Sequence, residues 1–333
     1  MNAATTSNIT AGRYVYDVEV EDVSGIEVPE RAKYIRTIIG ELERIHSHLL
    51  WVGLAGHFIG YNTVFMWAWK YREPVLDIFE AISGNRNHYA MFKVGGVRRD
   101  IKNEDVPSLL KALDDIESFA GMLVKAVIDD PVILARLKNV GVLTKKDAVA
   151  IGVVGPVARA SDVRIDIRKN FPYAAYGEIP FEMIVLESGD VFAKAAVRLY
   201  ETIESIKIIR YALKNLPSGP IEAAVREIGI GEGIGQHEAP RGEVIHYVRS
   251  NGSNYPERHK IRAPSFMNVP AFKKTVIGQY LADAALVTAA VDPCYCCTER
   301  MAIVDPATGK LRMAGEELVK LSQEKTEQIR CRF

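Results

Sequence analysis

Three of the four cysteines in this 333-residue sequence stand together near its end, in DPCYCCTERM, residues 292–301. Cys294-x-x-Cys297 has the spacing that lets two thiolates converge on one soft metal ion. A zinc site of that type needs two further ligands, commonly a second such pair. The sequence offers none, because Cys331 is the only cysteine outside the cluster. A thioredoxin-like redox pair would open a helix inside a β-α-β unit, whereas a helical pattern precedes this one. Taken alone, the pair reads as half of a metal site.

Other residues carry chemistry with less definition. Glu41, Glu43, His46 and His48 crowd into ELERIHSHLL. Histidines two apart on a helix point in different directions, so His46 and His48 do not make a shared metal pair. Glu41 and His48, seven apart, share a face, and packing with internal hydrogen bonds is the plainer role for the group. Arg159, Arg164 and Arg168 stand in GPVARASDVRIDIRKNFPY, a stretch too apolar for a plain solvated face. Arginine forks bind carboxylate or phosphate, or tie helices together. Structural pairing is the default here. GIGEGIG, residues 229–235, has neither the glycine spacing nor the following apolar helix of a dinucleotide fingerprint, and reads as a flexible loop. Trp67 and Trp69 read as core or interface residues.

The elements that must position these residues are mainly helical. Pro29 and Glu30 suit a helix start, after which Ile35, Ile38, Ile39, Leu42, Ile45 and Leu49 recur at helical spacing. Further helices are expected over Thr63–Ile82, interrupted or kinked near Pro74, over Asp105–Ala126, and over Gly189–Leu213, where LPSGP stops the pattern. Residues 140–176 read as structured loop. EVIHYVRSNGSNYPERHKIRAP predicts two strands around an Asn-Gly-Ser-Asn turn. A helix over Ala271–Ala290 leads into the cysteine cluster, and AIVD, PATGK and Glu316–Glu327 predict a strand, a turn and a terminal amphipathic helix. The first 20 or so residues are polar and strand-prone, with no clear core pattern.

Composition bounds the function classes. Lys+Arg and Asp+Glu are both 42, so no net field recruits nucleic acid or an anionic membrane. A 48% hydrophobic and 25% charged chain is ordinary globular material. No apolar run approaches the roughly 18–20 residues of a membrane span, and the N-terminus lacks the order of a secretory signal. These features predict a chain soluble by itself, compatible with a peripheral place in a membrane complex. So few cysteines, three of them adjacent, fit a reducing compartment better than a disulfide framework.

Several stretches together resemble the large, catalytic subunit of nickel–iron hydrogenases. The similarity is to the membrane-associated, energy-converting branch, of the Ech and formate-hydrogenlyase type, which shares ancestry with the 49 kDa subunit of respiratory complex I. It is carried by GIEVPERAKYIRTIIGELERIHSHLLW (25–51), FMWAWKYREPVLDIFEAISGNR (65–86), GGVRRD (95–100), GPVARAS (155–161), FPYAAY (171–176), GDVFAKAAVR (189–198), EAPRGE (238–243) and DPCYCCTER (292–300). These cover roughly residues 20 to 333 in one order. Complex I subunits look alike through the helices but have lost the cysteines at this point, so the retained pair favours hydrogenase.

The resemblance implies a mainly α, hydrogenase large-subunit-like helical bundle with a small β element. It implies an unmatched segment over 1–20, the large-subunit-like domain over 21–300, and a C-terminal extension over 301–333. Cys294 would be a terminal nickel ligand and Cys297 a thiolate bridging to an iron that carries cyanide and carbon monoxide. Cys296 reads as a bystander. Arg241 would be the catalytic arginine suspended over the open nickel–iron face. Pro264 and Ser265 would lie around the diatomic ligands, with Ser265 donating to a cyanide. The implied reaction is reversible oxidation of H2, with electrons passed to a partner small subunit holding an iron–sulfur cluster. Other hydrophilic and membrane subunits would couple it to ion translocation, and place the chain in the cytoplasm on the inner face of the membrane.

One departure stands beside this. The family takes its other two thiolates from an Arg-x-Cys-x-x-Cys-x-x-x-His segment just before the long helix, and MNAATTSNITAGRYVYDVEVEDVSG contains no cysteine. Truncation and divergence both account for it, and either leaves the ligand set incomplete. A non-catalytic structural or electron-relay subunit, or a quinone-linked oxidoreductase subunit of the complex I type, are the alternative functions. The tail has two expected fates. A maturation endopeptidase cleaves relatives after Cys-x-x-Cys-x-x-His/Arg, which here would fall between Arg300 and Met301. In unprocessed members the helix is permanent.

Overall fold

A computed structural model describes residues 9–225, 227–298 and 302–330. Its order begins with α1 (Ile9–Ser24), α2 (Glu30–Phe58), α3 (Asn62–Ser83), a short hairpin of β1 (Phe92–Lys93) and β2 (Gly96–Val97), and α4 (Val106–Asp129). Short helices follow: α5 (Pro131–Leu137), α6 (Lys145–Ile151), α7 (Gly155–Arg159) and α8 (Ile167–Asn170). Then come the long α9 (Val191–Lys214), strands β3 (Ile230–Ala239), β4 (Gly242–Asn251) and β5 (Arg258–Arg262), and short helices α10 (Pro264–Asn268), α11 (Phe272–Thr275) and α12 (Ala284–Ala289). A hairpin of β6 (Ile303–Val304) and β7 (Leu311–Met313) precedes α13 (Gly315–Arg330).

The bundle forms around α2, which packs on α3 and α9, while α4 packs on α9 and α3. Ile35, Ile39, Leu42, Ile45 and Leu49 are fully buried on α2. So are Glu41, Glu43, Arg44 and His48, so the middle of this helix, residues 34–49, is enclosed on all sides. Asp190 caps α9, its carboxylate accepting from the Ala193 amide at 2.8 Å. α3 runs through Pro74 without interruption and ends at Gly84, which adopts φ 80°.

Four expectations from the sequence are corrected. Residues 271–290 form no single helix: Gly278, at φ 87°, lies between α11 and α12, in a backbone region that ends a right-handed helix. The stretch 140–176 contains α6, α7 and α8, the first capped by Thr144 and the last by Asp166. Residues 9–24, read as strand-prone, form α1, and GIGEGIG, read as a loop, opens into β3.

The last two corrections have one cause. β3, β4 and β5 form an antiparallel sheet in that order. Gly229, Gly231, Gly233 and Gly235 recur every second residue, so all four point to one side. α1 lies along that glycine track. A Cβ at Gly229 would meet the Val23 carbonyl oxygen at 2.2 Å, one at Gly233 the Val23 side chain at 3.1 Å, and one at Gly235 the Val15 carbonyl oxygen at 2.8 Å and Glu19 at 2.9 Å. Val15, Glu19 and Val23 are four apart, on one helix face. The Arg36 guanidinium then clamps α1 to α2 by two bonds to Glu21, at 2.6 and 2.9 Å.

The chain forms two compact units, Met1–Pro293 and Cys294–Phe333. Within the second, α13 buries no side chain. Among the described residues no helix is long and apolar enough to cross a membrane.

Gly235→Val is expected to push α1 off the sheet and cost about 1–3 kcal/mol. Urea unfolding and limited proteolysis at residues 9–24 measure it, and an unchanged midpoint with α1 still protected would contradict the close packing.

Candidate functional site

The cysteine pair sits on a single turn of 3-10 helix, Tyr295–Thr298. The Cys297 amide donates to the Cys294 carbonyl at 3.0 Å. Cys294 is buried and Cys297 half-buried. Arg300 and Met301 lie outside the described residues.

Arg241 occupies the tight turn between β3 and β4. Its Nε donates to the Asp292 carbonyl at 3.0 Å and its Nη2 pairs with Asp292 Oδ1 at 2.9 Å. The backbone below it has no freedom. A Cβ on Gly155 would lie 2.4 Å from the Gly242 Cα, and Gly155 itself takes φ 68°. Asn268 of α10 donates to the Arg241 carbonyl at 3.1 Å and accepts from the Val154 amide at 2.9 Å. Pro264 and Ser265, both buried, open that same α10. The structure thus ties Arg241, α7 and α10 into one support.

A larger assembly of buried charge lies between the bundle and the sheet, and the sequence pointed to only part of it. Arg159 Nε donates to Glu201 at 2.7 Å and its Nη1 to Glu238 at 2.7 Å, with Asp166 at 3.6 Å. Arg168 reaches Asp166 at 2.7 Å and Glu41 at 3.0 Å. Glu41 also accepts from Ser205 at 2.6 Å and from the Tyr176 hydroxyl at 2.5 Å, with the Arg44 Nε 3.3 Å away. Arg44 Nη2 donates to the Glu238 carbonyl at 2.6 Å. His48 Nε2 meets Glu201 at 2.9 Å. His46 turns the other way, accepting from Arg72 at 2.5 Å. Arg164, by contrast, is largely exposed. Glu201, Asp166 and Glu238 were missed as partners. The available signal was a glutamate on an otherwise core-facing stretch of α9.

The electrostatics follow from burial and pairing. Burial would raise the Glu41 carboxyl, but Arg44 and Arg168 outweigh it and hold it at about 2. Burial likewise acts against Glu201, and Arg159 and His48 hold it well below the carboxylate range. Asp166 is held at about 2 by Arg168 and Arg159 against its burial. Burial brings the His48 imidazole down to about 4, so His48 meets Glu201 as a neutral ring. Arg198 is fully buried, lies 4.3 Å over the Trp51 ring and donates from Nη1 to the Lys194 carbonyl at 2.8 Å. Its Nε and Nη2 find no hydrogen-bond partner among the described residues. Burial lowers its guanidinium to about 10.

Fold and site together define a class, the large-subunit fold common to membrane-bound hydrogenases and quinone oxidoreductases. The chain belongs to the family of the respiratory-chain NADH dehydrogenase 49 kDa subunit, whose family model matches residues 59–232 and 226–300. It is 41% identical to the membrane-bound hydrogenase subunit alpha of Pyrococcus furiosus, over 95% of this chain and 78% of that one. It is 37% identical to an NADH-quinone oxidoreductase subunit of Chloroherpeton thalassium, over 82% of this chain and 69% of that one. A solved chain of the membrane-bound sulfane sulfur reductase, an archaeal respiratory membrane complex, superposes with a TM-score of 0.82 at 32% identity, covering 86% of this chain and 80% of that one. The mainly α fold with a small β element is the fold of this family.

Two outcomes test the charge assembly. Arg159→Met leaves Glu201 and Glu238 short of their cation and is expected to cost about 3–5 kcal/mol in urea unfolding. Glu41, depressed from 4.5 to about 2, contributes stability that is complete above pH 4.5 and lost as the pH falls toward 2. The wild-type unfolding midpoint should fall through that window, and Glu41→Gln, less stable at neutrality, should fall less.

Proposed function

We propose that this chain is the large subunit of a membrane-associated, energy-converting hydrogenase-type complex, whose reaction is the reversible oxidation of H2 to protons and electrons. Electrons would pass to an iron–sulfur small subunit, and membrane subunits would couple their flow to ion translocation. The observation that carries this reading is the Cys294–Cys297 turn, a Cys-x-x-Cys pair closed by a 3.0 Å bond from the Cys297 amide to the Cys294 carbonyl. The relatives support it, since the Pyrococcus furiosus protein is named as a membrane-bound hydrogenase subunit.

The donors fit a nickel–iron centre in kind and in spacing, and only in part by number. Thiolates suit both metals. Residues 1–293 contain no cysteine, so Cys294 and Cys297 supply two of the four thiolates the family uses, and turnover requires the other two. A bound centre would supply the splitting of H2. The protein's own part is to hold two soft donors, to fix a cation at Arg241 by its two bonds to Asp292, and to seat Pro264 and Ser265 beside that support on α10. Removal of residues 301–333 after Arg300 belongs to the same proposal.

A second reading has its own observation. The family description is that of a respiratory NADH dehydrogenase subunit, and a quinone-linked subunit needs no thiolate set. Nickel content of the purified complex separates the two. One nickel per chain, lost in Cys294→Ser and in Cys297→Ser, is expected, with an intact mass ending at Arg300. A nickel-free complex that still reduces a quinone analogue would decide for the second reading.

A further inference from the structure

Glu19, His246 and His259 meet where α1 crosses the sheet, on three separate elements. His246 on β4 stands opposite Gly235 on β3, and His259 on β5 stands opposite Val248, two residues along β4 from His246. Both imidazoles therefore share the face that carries the glycine track. The absent side chain at Gly235 lets Glu19 lie against them, since a Cβ there would sit 2.9 Å from the Glu19 Cγ.

We propose that these three side chains bind a divalent transition-metal ion, zinc by their chemistry. One donor atom from each lies within 4.8 Å of the others. His246 Nδ1 and His259 Nε2 are 3.1 Å apart, close to the edge of a tetrahedron of Zn–N bonds, about 3.3 Å. Two imidazoles and a carboxylate form a borderline donor set that zinc favours over calcium or magnesium, and three protein ligands leave a fourth position for water.

Glu19 supplies the strongest physical reason. The side chain is fully buried, one carboxylate oxygen accepts from the Gly235 amide at 3.0 Å, and the other has no partner among the described residues. A buried carboxylate oxygen without a cation is costly, and a metal ion at that oxygen removes the cost. The Gly235 amide fixes the carboxylate, and Tyr16 stands against the His259 ring at 5.5 Å. Such supports orient ligands before a metal arrives. His259 is only half-buried, which gives the ion a path in.

The proposal is independent of the hydrogenase reading and is tested away from the cysteines. The full chain with all four cysteines changed to serine is stripped with chelator and titrated with Zn2+ against a chromophoric competitor. One zinc per chain is expected, and His246→Gln or His259→Gln should weaken binding by at least about tenfold. Circular dichroism checks that each variant is folded. X-ray absorption at the zinc edge of the cysteine-free chain should show nitrogen and oxygen ligands with imidazole scattering. No zinc bound by that chain, the parent chain's affinity retained in both histidine variants, or a zinc shell without imidazole would overturn the proposal.

Discussion

Everything in the larger unit is arranged around charge removed from water. Glu41, Arg44, Arg159, Asp166, Arg168, Glu201 and Glu238 are all buried. Each would be costly alone, because desolvating an ion takes several kcal/mol that only close, multiple pairing returns. The pairing is accordingly many-sided. Arg159 serves Glu201, Glu238 and the Ile165 carbonyl, while Glu41 accepts from Arg168, Ser205 and Tyr176. The members come from α2, α9, β3 and the irregular segment around α7 and α8. That segment has too few residues in any one helix to position itself by helix packing. Its charges and a small apolar cluster of Leu143, Val153, Val157 and Val163 hold it in place, and the same charges help attach the sheet to the bundle.

This explains which parts of the fold were legible in the sequence. The long helices follow a 3.6-residue apolar period, and α2, α3, α4 and α9 fall within a few residues of where that period places them. The β4–β5 hairpin follows its Asn-Gly-Ser-Asn turn. Arg159 and Arg168 were readable as paired arginines because their surroundings are apolar, but spacing along the chain does not reveal partners 42 to 127 residues away. α1 and β3 were not readable singly. A glycine-rich run looks like a loop until a helix is known to lie on it. A polar N-terminal stretch looks coreless until its opposing face is known to be bare backbone. Each is the condition for the other.

The family assignment and the site ask for different arguments. Sequence identity and a TM-score of 0.82 establish the fold and the family, yet that one fold serves chains named as hydrogenases and chains named as quinone oxidoreductases. Function has to be argued from the site. In the larger unit, the Arg241 support belongs to the scaffold: Gly155, Gly242 and Asn268 fix its backbone. The cysteine turn is a separate feature of the smaller unit, a Cys-x-x-Cys pair at a single turn of 3-10 helix.

Arg198 shows how the two arguments meet. The carboxylates of the charge assembly beside it are already paired with nearer guanidiniums, those of Arg159 and Arg168. Burial lowers Arg198 to about 10, with attraction from Asp292 and Glu201 opposed by repulsion from Arg241 and Arg159. A cation held this way over Trp51 lends positive potential to the region of the Arg241–Asp292 pair without spending its Nε and Nη2 donors. Stability alone would favour pairing or replacing such a group. A buried arginine whose Nε and Nη2 find no partner among the described residues is therefore not explained by what holds the bundle together.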